Sequence, residues 1–281
     1  MKVAITTASG ALGSEIIKVL MKEIGSENVI GIARTPEKAF HLGVEVRKGD
    51  YNSKEDFDAA LSGVDVVLLV SGMDHPDKRI GQHRNVINAA KENGIKKIVY
   101  TSIIGKEGRS TFDAIVKSNR QTEKDIRESG LDWSIGRNGL YIEPDIEYIE
   151  KYKEFGKVAN CGADGLCSYT TRSELAFAYT QMILNKDRNG KVFNLVGDAI
   201  TQTQLTSYLN QAFGTKLLYE VMTVDDYLKF QQKENGEFLG SVIAGIYTKI
   251  RNGEFQVESD FEAAAGRKHV IWDKYFKQLS D

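Results

Sequence analysis

The sequence predicts an α/β protein, a doubly wound parallel sheet carrying a smaller C-terminal α/β cap. Three observations predict it. A short β-rich run, Lys2 to Thr6, turns into a helical pattern at the small residues Thr7-Ala-Ser-Gly10-Ala-Leu-Gly13. Apolar β-branched runs then alternate with helical segments through the first half of the chain. Such alternation with short connections means parallel strands covered on both faces. Finally, Val64-Asp-Val-Val-Leu-Leu-Val70 is nearly all apolar, as a strand buried on both faces requires.

Taken in order, the first strand is followed by a helix near 11–24. Val29 to Ala33 reads as strand two and Val44 to Arg47 as strand three. Val64 to Val70, Lys97 to Thr101 and Trp133 to Ile135 follow as strands four to six. Helical patterns near 36–41, 54–62, 78–93 and 112–129 separate them, with stops at Asn93-Gly94 and Ser129-Gly130. After Arg137 the rhythm breaks. Residues 143–155 read as one polar, aromatic-rich helix, 156–159 and 168–170 as short strands, and 172–185 as a helix. A helix at 203–213 and a mostly helical tail from Thr223 follow. The expected division is a dinucleotide-binding domain at 1–155 and a cap at 156–281, with a strand near 192–196 free to rejoin the first sheet. In open α/β sheets a cap in this place lies over the carboxyl ends of the strands, where ligands sit.

Composition narrows the function. The 281 residues are 41% hydrophobic and 27% charged, ordinary for a folded chain with a full core. Net charge is −2, from 37 basic and 39 acidic residues, which leaves no electrostatic footprint for nucleic acid. No apolar run is long enough to span a bilayer, and Met1-Lys2 passes straight into the first strand without a signal-peptide pattern. Cys161 and Cys167 flank a Gly-rich turn. A disulfide or half a metal site is open there, but with no second Cys/His pair two free thiols and no metal are expected. The compartment reads as cytoplasm.

The opening corner carries the chemistry. A helix N-terminus has unpaired N–H groups and partial positive charge, which suits a diphosphate. Gly10 lets backbone and phosphate approach closely, and at Gly13 a side chain would push the helix off the sheet. Thr7, Ser9, Gly10, Ala11 and Leu12 are therefore candidate coenzyme contacts. The alternative is a plain strand–helix turn, since Thr7 stands where the usual pattern has its first glycine. At the end of strand two the adenosine ribose is normally read. Arg34 stands there rather than an acid, and a guanidinium matches a 2′-phosphate, which favours NADPH over NADH. The alternative is a solvated arginine. Asp50 and Tyr51 end strand three where they would meet the adenine, or else form a turn with an Asx bond. Ser71 and Gly72 end strand four, either beneath the nicotinamide ribose or as a plain turn. No tyrosine is followed four residues later by lysine: Tyr100, Tyr141 and Tyr179 meet Ile104, Asp145 and Ile183. That excludes the Tyr-x-x-x-Lys dyad of carbonyl reduction and sugar epimerisation.

Four stretches now carry a resemblance. Gln82-His-Arg-Asn-Val-Ile-Asn-Ala-Ala-Lys91, Tyr100-Thr-Ser102, Arg137-Asn-Gly-Leu-Tyr141 and Lys191-Val-Phe-Asn-Leu-Val-Gly-Asp198 together resemble the NmrA-like, atypical short-chain dehydrogenases. The similarity runs from Lys2 to about Tyr219. It implies a Rossmann domain with a small C-terminal lobe, NADPH in the groove and a planar acceptor near the nicotinamide, beside the segment that holds Asn138 and Tyr141. The chain departs from the family pattern at Thr7, which implies a wider corner or shifted phosphates. It departs again at Asn119, where the family carries a histidine or lysine, because an amide can position a substrate but cannot exchange a proton near neutral pH. His83 is read as a satisfied helix-side histidine, Arg172 as an anchor between cap and core with contact to the cofactor as the lesser alternative, and Tyr148, Tyr152 and Phe155 as core or lid packing. The function expected is NADPH-dependent reduction of a quinone or similar conjugated acceptor, with a redox-sensing regulator that binds NADP without turnover as the alternative. A homodimer or a regulatory protein partner is compatible with either.

Overall fold

The computed structural model describes residues 1–108 and 110–279. The first sheet has seven strands, all parallel, in the order β10-β6-β5-β4-β1-β2-β3. The strands are β1 (Val3–Ile5), β2 (Val29–Ala33), β3 (Glu45–Lys48), β4 (Val66–Val70), β5 (Lys97–Ile103), β6 (Asp132–Asn138) and β10 (Lys191–Leu195). Every residue of β1, β2 and β4 is buried, which is why these segments read as apolar runs rather than alternations. The strand order reverses between β1 and β4, and a crevice opens beyond their carboxyl ends at such a switch point.

Helices cover both faces. On one, α1 (Ala11–Ile24) packs against α7 (Arg172–Leu184), with α11 (Phe261–Ala265) beside α7. On the other lie α2 (Lys54–Ala60), α3 (Pro76–Glu92) and α4 (Thr111–Arg127), over a core that includes Phe57, Leu69 and Tyr100. The segment Pro36–Leu42 is a 3₁₀ helix. Residues 172–195 thus return to the large sheet, so a cut at 155 does not separate the layers. Tyr179 of α7 explains the return: its phenol donates to the carbonyl of Gly136 or to Asn138 Oδ1, deep in the first core.

The cap is assembled from scattered pieces. The stretch read as a single helix at 143–155 breaks at Tyr148 into α5 (Glu143–Glu147) and α6 (Ile149–Phe155). Two small sheets follow. One joins β7 (Leu140–Tyr141), β9 (Cys167–Thr170) and β11 (Ala199–Ile200). The other joins β8 (Lys157–Asn160) to β12 (Leu218–Val221). The helices α8 (Gln202–Phe213), α9 (Val224–Asn235), α10 (Glu237–Arg251) and α12 (Trp272–Lys277) complete it. Its apolar core takes in Phe112 and Val116 of α4 together with Val242 and Ile250 of α10, so α4 belongs to both layers. Cys161 and Cys167 are free and buried. Among the described residues no helix is long and apolar enough to cross a membrane.

Candidate functional site

A cavity of about 1040 Å³ follows the carboxyl ends of the strands, from Ser9 and Arg34 at one end to Val242 and Ile246 of α10 at the other. That is the upper end of the roughly 300–1,000 Å³ that encloses a small ligand, so the space suits a long ligand with a second one beyond it.

The first end is built from backbone. Thr7 carries φ +51°, a left-handed conformation that is strained for a β-branched residue. The amide of Gly10 donates to the Thr7 carbonyl at 2.8 Å and Ala8 N donates to Ile32 O at 2.9 Å. The wider corner expected from Thr7 is therefore not what forms: the turn stays tight, and the threonine adopts the angle a glycine would take freely. Gly13 is required for a related reason. A Cβ there would stand 2.4 Å from the Thr7 carbonyl oxygen, so the obstruction is the turn itself and not the sheet. At Gly10 a Cβ would stand 3.1 Å from the same oxygen.

The helix that starts here is left open. Helices α2, α4, α7, α8 and α9 each close their N-terminus with a Ser or Thr side chain, and α3 does so with His75. Helix α1, like α5, α6, α10, α11 and α12, has no side-chain cap, but unlike them it has no acid in its first turn. Its unpaired amides face the cavity wall formed by Ser9, Gly10, Ala11 and Leu12, the arrangement that takes a diphosphate. Arg34 and Lys38 line the same end and are exposed. Among the described residues neither forms an ion pair. The donors present thus fit a phosphorylated dinucleotide.

Asp50 and Tyr51 also line the cavity, but each has structural ties. Asp50 Oδ1 accepts from Asn52 N and Nδ2, both at 2.9 Å, the Asx turn that the sequence left open. The Tyr51 phenol donates to Val70 O at 2.5 Å, lies 2.7 Å from Thr6 Oγ1 and its ring stacks on Phe57. Burial pushes its pKa up.

The middle of the cavity is tied together by side chains. Ser71 N donates to Thr101 Oγ1 at 2.8 Å, and Ser71 Oγ donates to Asn119 Oδ1 at 3.2 Å. Asn119 Oδ1 also accepts from the Tyr100 phenol at 2.6 Å, and its amide donates to Ile115 O at 2.8 Å. Asn119 is thus a clasp between β4, β5 and α4, buried but still lining the cavity. Gly72 N donates to His83 Nε2 at 3.1 Å, and His83 Nδ1 lies 2.8 Å from Thr122 Oγ1. With Nε2 accepting, the proton sits on Nδ1. Burial, reinforced by the nearby Arg79, lowers the His83 pKa to about 3. This histidine is satisfied and neutral.

The far end is apolar, with Phe112 and Ile115 of α4 opposite Val242 and Ile246 of α10. One wall is polar. Asn138 Oδ1 accepts from the Tyr179 phenol at 2.6 Å, which fixes the amide, and Asn138 Nδ2 donates to the Tyr141 oxygen at 3.1 Å. Because that oxygen accepts from Asn138, its own hydrogen is free to point into the cavity. Burial pushes the Tyr141 pKa up to about 12, so the phenol stays protonated. Arg172 lies over the Tyr141 ring at 5.8 Å, and its side chain donates to Glu147 Oε1 at 2.6 Å. It ties α7 to α5 of the cap and also lines the cavity. Tyr148 and Phe155 are exposed, while Tyr152 donates to Asp145.

Sequence reading missed Arg79 and Gln82 of α3 and the two apolar residues of α10. The pattern Pro76, Arg79, His83 is one buried helix face and was legible. Val242 and Ile246 are spaced for one face of a helix, but nothing local shows what that face covers.

Residues 7–158 match the model of an NAD(P)H-binding family. Quinone oxidoreductase 2 of Escherichia coli K12 is 35% identical over 80% of this chain and 79% of its own length. A crystal structure of an E. coli NADPH-dependent quinone oxidoreductase, complexed with NADPH, superposes with a TM-score of 0.89 at 30% identity over 99% of this chain and all of that one. The Citrobacter sp. triphenylmethane reductase complexed with NADP(H) gives the same TM-score at 30% identity, over 99% and 100% of the two chains.

Proposed function

The chain belongs to the NAD(P)H-binding family and is an oxidoreductase of it, and we propose on that footing that it oxidises NADPH and reduces a quinone or similar conjugated acceptor. The observation that carries the proposal is the continuity of one cavity. An uncapped helix N-terminus opens at its first end, and an apolar chamber with a free phenol O–H closes the other.

The free amides of Ala11 and Leu12 would hold the diphosphate, with Gly10 letting it approach closely, and Arg34 with Lys38 would receive a 2′-phosphate, which makes NADPH the coenzyme. Ser71, Gly72 and the Asn119 clasp would form the floor beneath the nicotinamide end of the coenzyme. Bound NADPH supplies a hydride, two electrons and one proton, to the acceptor. Phe112, Ile115, Val242 and Ile246 stack on a planar acceptor and keep water from it. Tyr141 donates its O–H to the acceptor oxygen that becomes negative, with Asn138 and Tyr179 fixing the direction of that bond. Water then provides the second proton that completes the hydroquinone. Asn119 exchanges no proton, which such a reaction tolerates and the reduction of a simple ketone would not. A cytoplasmic setting belongs to the same proposal, as does any homodimer or regulatory partner.

Steady-state NADPH oxidation with a panel of quinones tests this reading. Saturable turnover with quinones, and a poor rate with simple ketones, is expected. Tight NADPH binding with no turnover on any acceptor would instead make the protein a redox sensor. A melting temperature indifferent to both NADPH and NADH would remove the coenzyme altogether.

A further inference from the structure

Arg79 is a buried cation that, among the described residues, forms no ion pair. It is 6% exposed yet lines the cavity. Its Nε donates to the backbone carbonyl of Asp74 at 3.0 Å. Among the described residues its two terminal nitrogens have no acceptor, and it forms no ion pair. The nearest acid, Asp74, is engaged elsewhere: Oδ1 accepts from His75 N and Oδ2 from Gln82 Nε2, both at 2.9 Å. Asp50 in the same cavity is held by Asn52. Burying an unpaired charge is costly unless something else brings the partner. Desolvation is indeed the largest influence on this guanidinium, opposed by Tyr100 and by the charge of Asp74, with which it makes no direct ion pair.

The coenzyme's own charges are provided for at the other end, by α1 and by Arg34 with Lys38. Arg79 is left over. It neighbours Tyr100, which is bonded to Asn119, and Asn119 sits one helical turn from Ile115 on the wall of the apolar chamber. A cation with open planar donors on the wall of the cavity that also holds the apolar slot fits an aromatic molecule with an acidic group on its rim.

We propose that Arg79 is a specificity-determining residue that binds an anionic substituent of the acceptor, so that the preferred substrates are conjugated, planar and acidic. This rests on the quinone-reductase reading above. The test compares a naphthoquinone sulfonate with its neutral methyl counterpart, in the wild type and in Arg79→Gln and Arg79→Lys. Each variant is referred to the wild type on the same acceptor, so differences in intrinsic reactivity cancel. Arg79→Gln should lower kcat/KM for the sulfonate about 30-fold, through KM, and for the neutral quinone less than about threefold. Arg79→Lys should recover part of the loss, and NADPH affinity by fluorescence titration should stay unchanged in both. Equal losses on both acceptors, or weakened NADPH binding, would overturn the proposal and place Arg79 with the coenzyme or the loop. If no quinone turns over, titrating naphthalene sulfonate into the NADP⁺-loaded protein by calorimetry still decides the role of Arg79. Binding lost in Arg79→Gln supports it, and equal binding to both proteins refutes it.

Discussion

The two ends of the cavity are made of different material. At the β1–α1 corner the material is backbone: the amides of Ala11 and Leu12, a tight turn through Thr7 closed by the Gly10 amide, and Gly13 kept bare because the Thr7 carbonyl occupies the space of a Cβ. At the far end it is side chains from β6, β7, α4, α7 and α10, such as the Tyr179–Asn138–Tyr141 chain. A backbone site is robust to the identity of neighbouring side chains and fragile to anything that moves the chain. A side-chain site is the reverse. The first is suited to holding one invariant coenzyme and the second to being tuned for an acceptor.

The sharpest way to break this comparison is Gly13→Ala. The added methyl meets the Thr7 carbonyl at 2.4 Å, so NADPH affinity should fall about 100-fold as the corner is forced open, read by fluorescence titration with circular dichroism confirming a folded chain. Unchanged affinity would show that the corner is not where the coenzyme is held.

Next in size is Tyr141→Phe. It removes one hydrogen-bond donor and no backbone, so kcat for quinone reduction should drop about 10- to 100-fold while the NADPH dissociation constant stays within about twofold. The same assignment fixes a pH profile. Since the phenol's pKa is raised to about 12, the donor form persists below that value. The wild-type kcat should therefore be flat across the alkaline range below it, and an alkaline fall that disappears in Tyr141→Phe would contradict the raised pKa.

Arg34→Ala should weaken NADPH about tenfold and leave NADH unchanged, because one charge-assisted contact is lost. Equal weakening of both coenzymes would move the 2′-phosphate elsewhere. The smallest effect belongs to Thr7→Gly. Relief of the positive φ is worth about 1–3 kcal/mol and the extra chain entropy of glycine costs about 0.5–1 kcal/mol, so the melting temperature should rise by a few degrees at most. A fall in melting temperature would mean that the threonine side chain contributes more than its conformation costs.

The same contrast governs what could be read before any coordinates. The corner was legible because strand, turn and helix are consecutive: Lys2 to Leu20 contains both the apolar run and the glycines. Of the two alternatives for Thr7, a wider turn or shifted phosphates, the wider turn did not form, because a sequence pattern does not say whether a misplaced residue will move the chain or accept a strained φ, and Thr7 accepted it. At the far end little was local. Asn138 and Tyr141 were found through resemblance, since the two residues of β7 are too few to show a period. Val242 and Ile246 lie more than a hundred residues from the Asn138 wall in the chain, and only tertiary packing against α4 brings them over the cavity. Arg79 was legible as part of the Pro76, Arg79, His83 helix face but was overlooked because a basic residue on a helix ordinarily faces water.

The most direct trial is a crystal structure of the protein grown with NADP⁺. The account predicts the diphosphate over Gly10 and against the amides of Ala11 and Leu12, and the 2′-phosphate at Arg34, with the nicotinamide reaching toward Ser71 and Tyr141. Density for the dinucleotide anywhere else, or a diphosphate kept away from α1 by the Thr7 side chain, would contradict it.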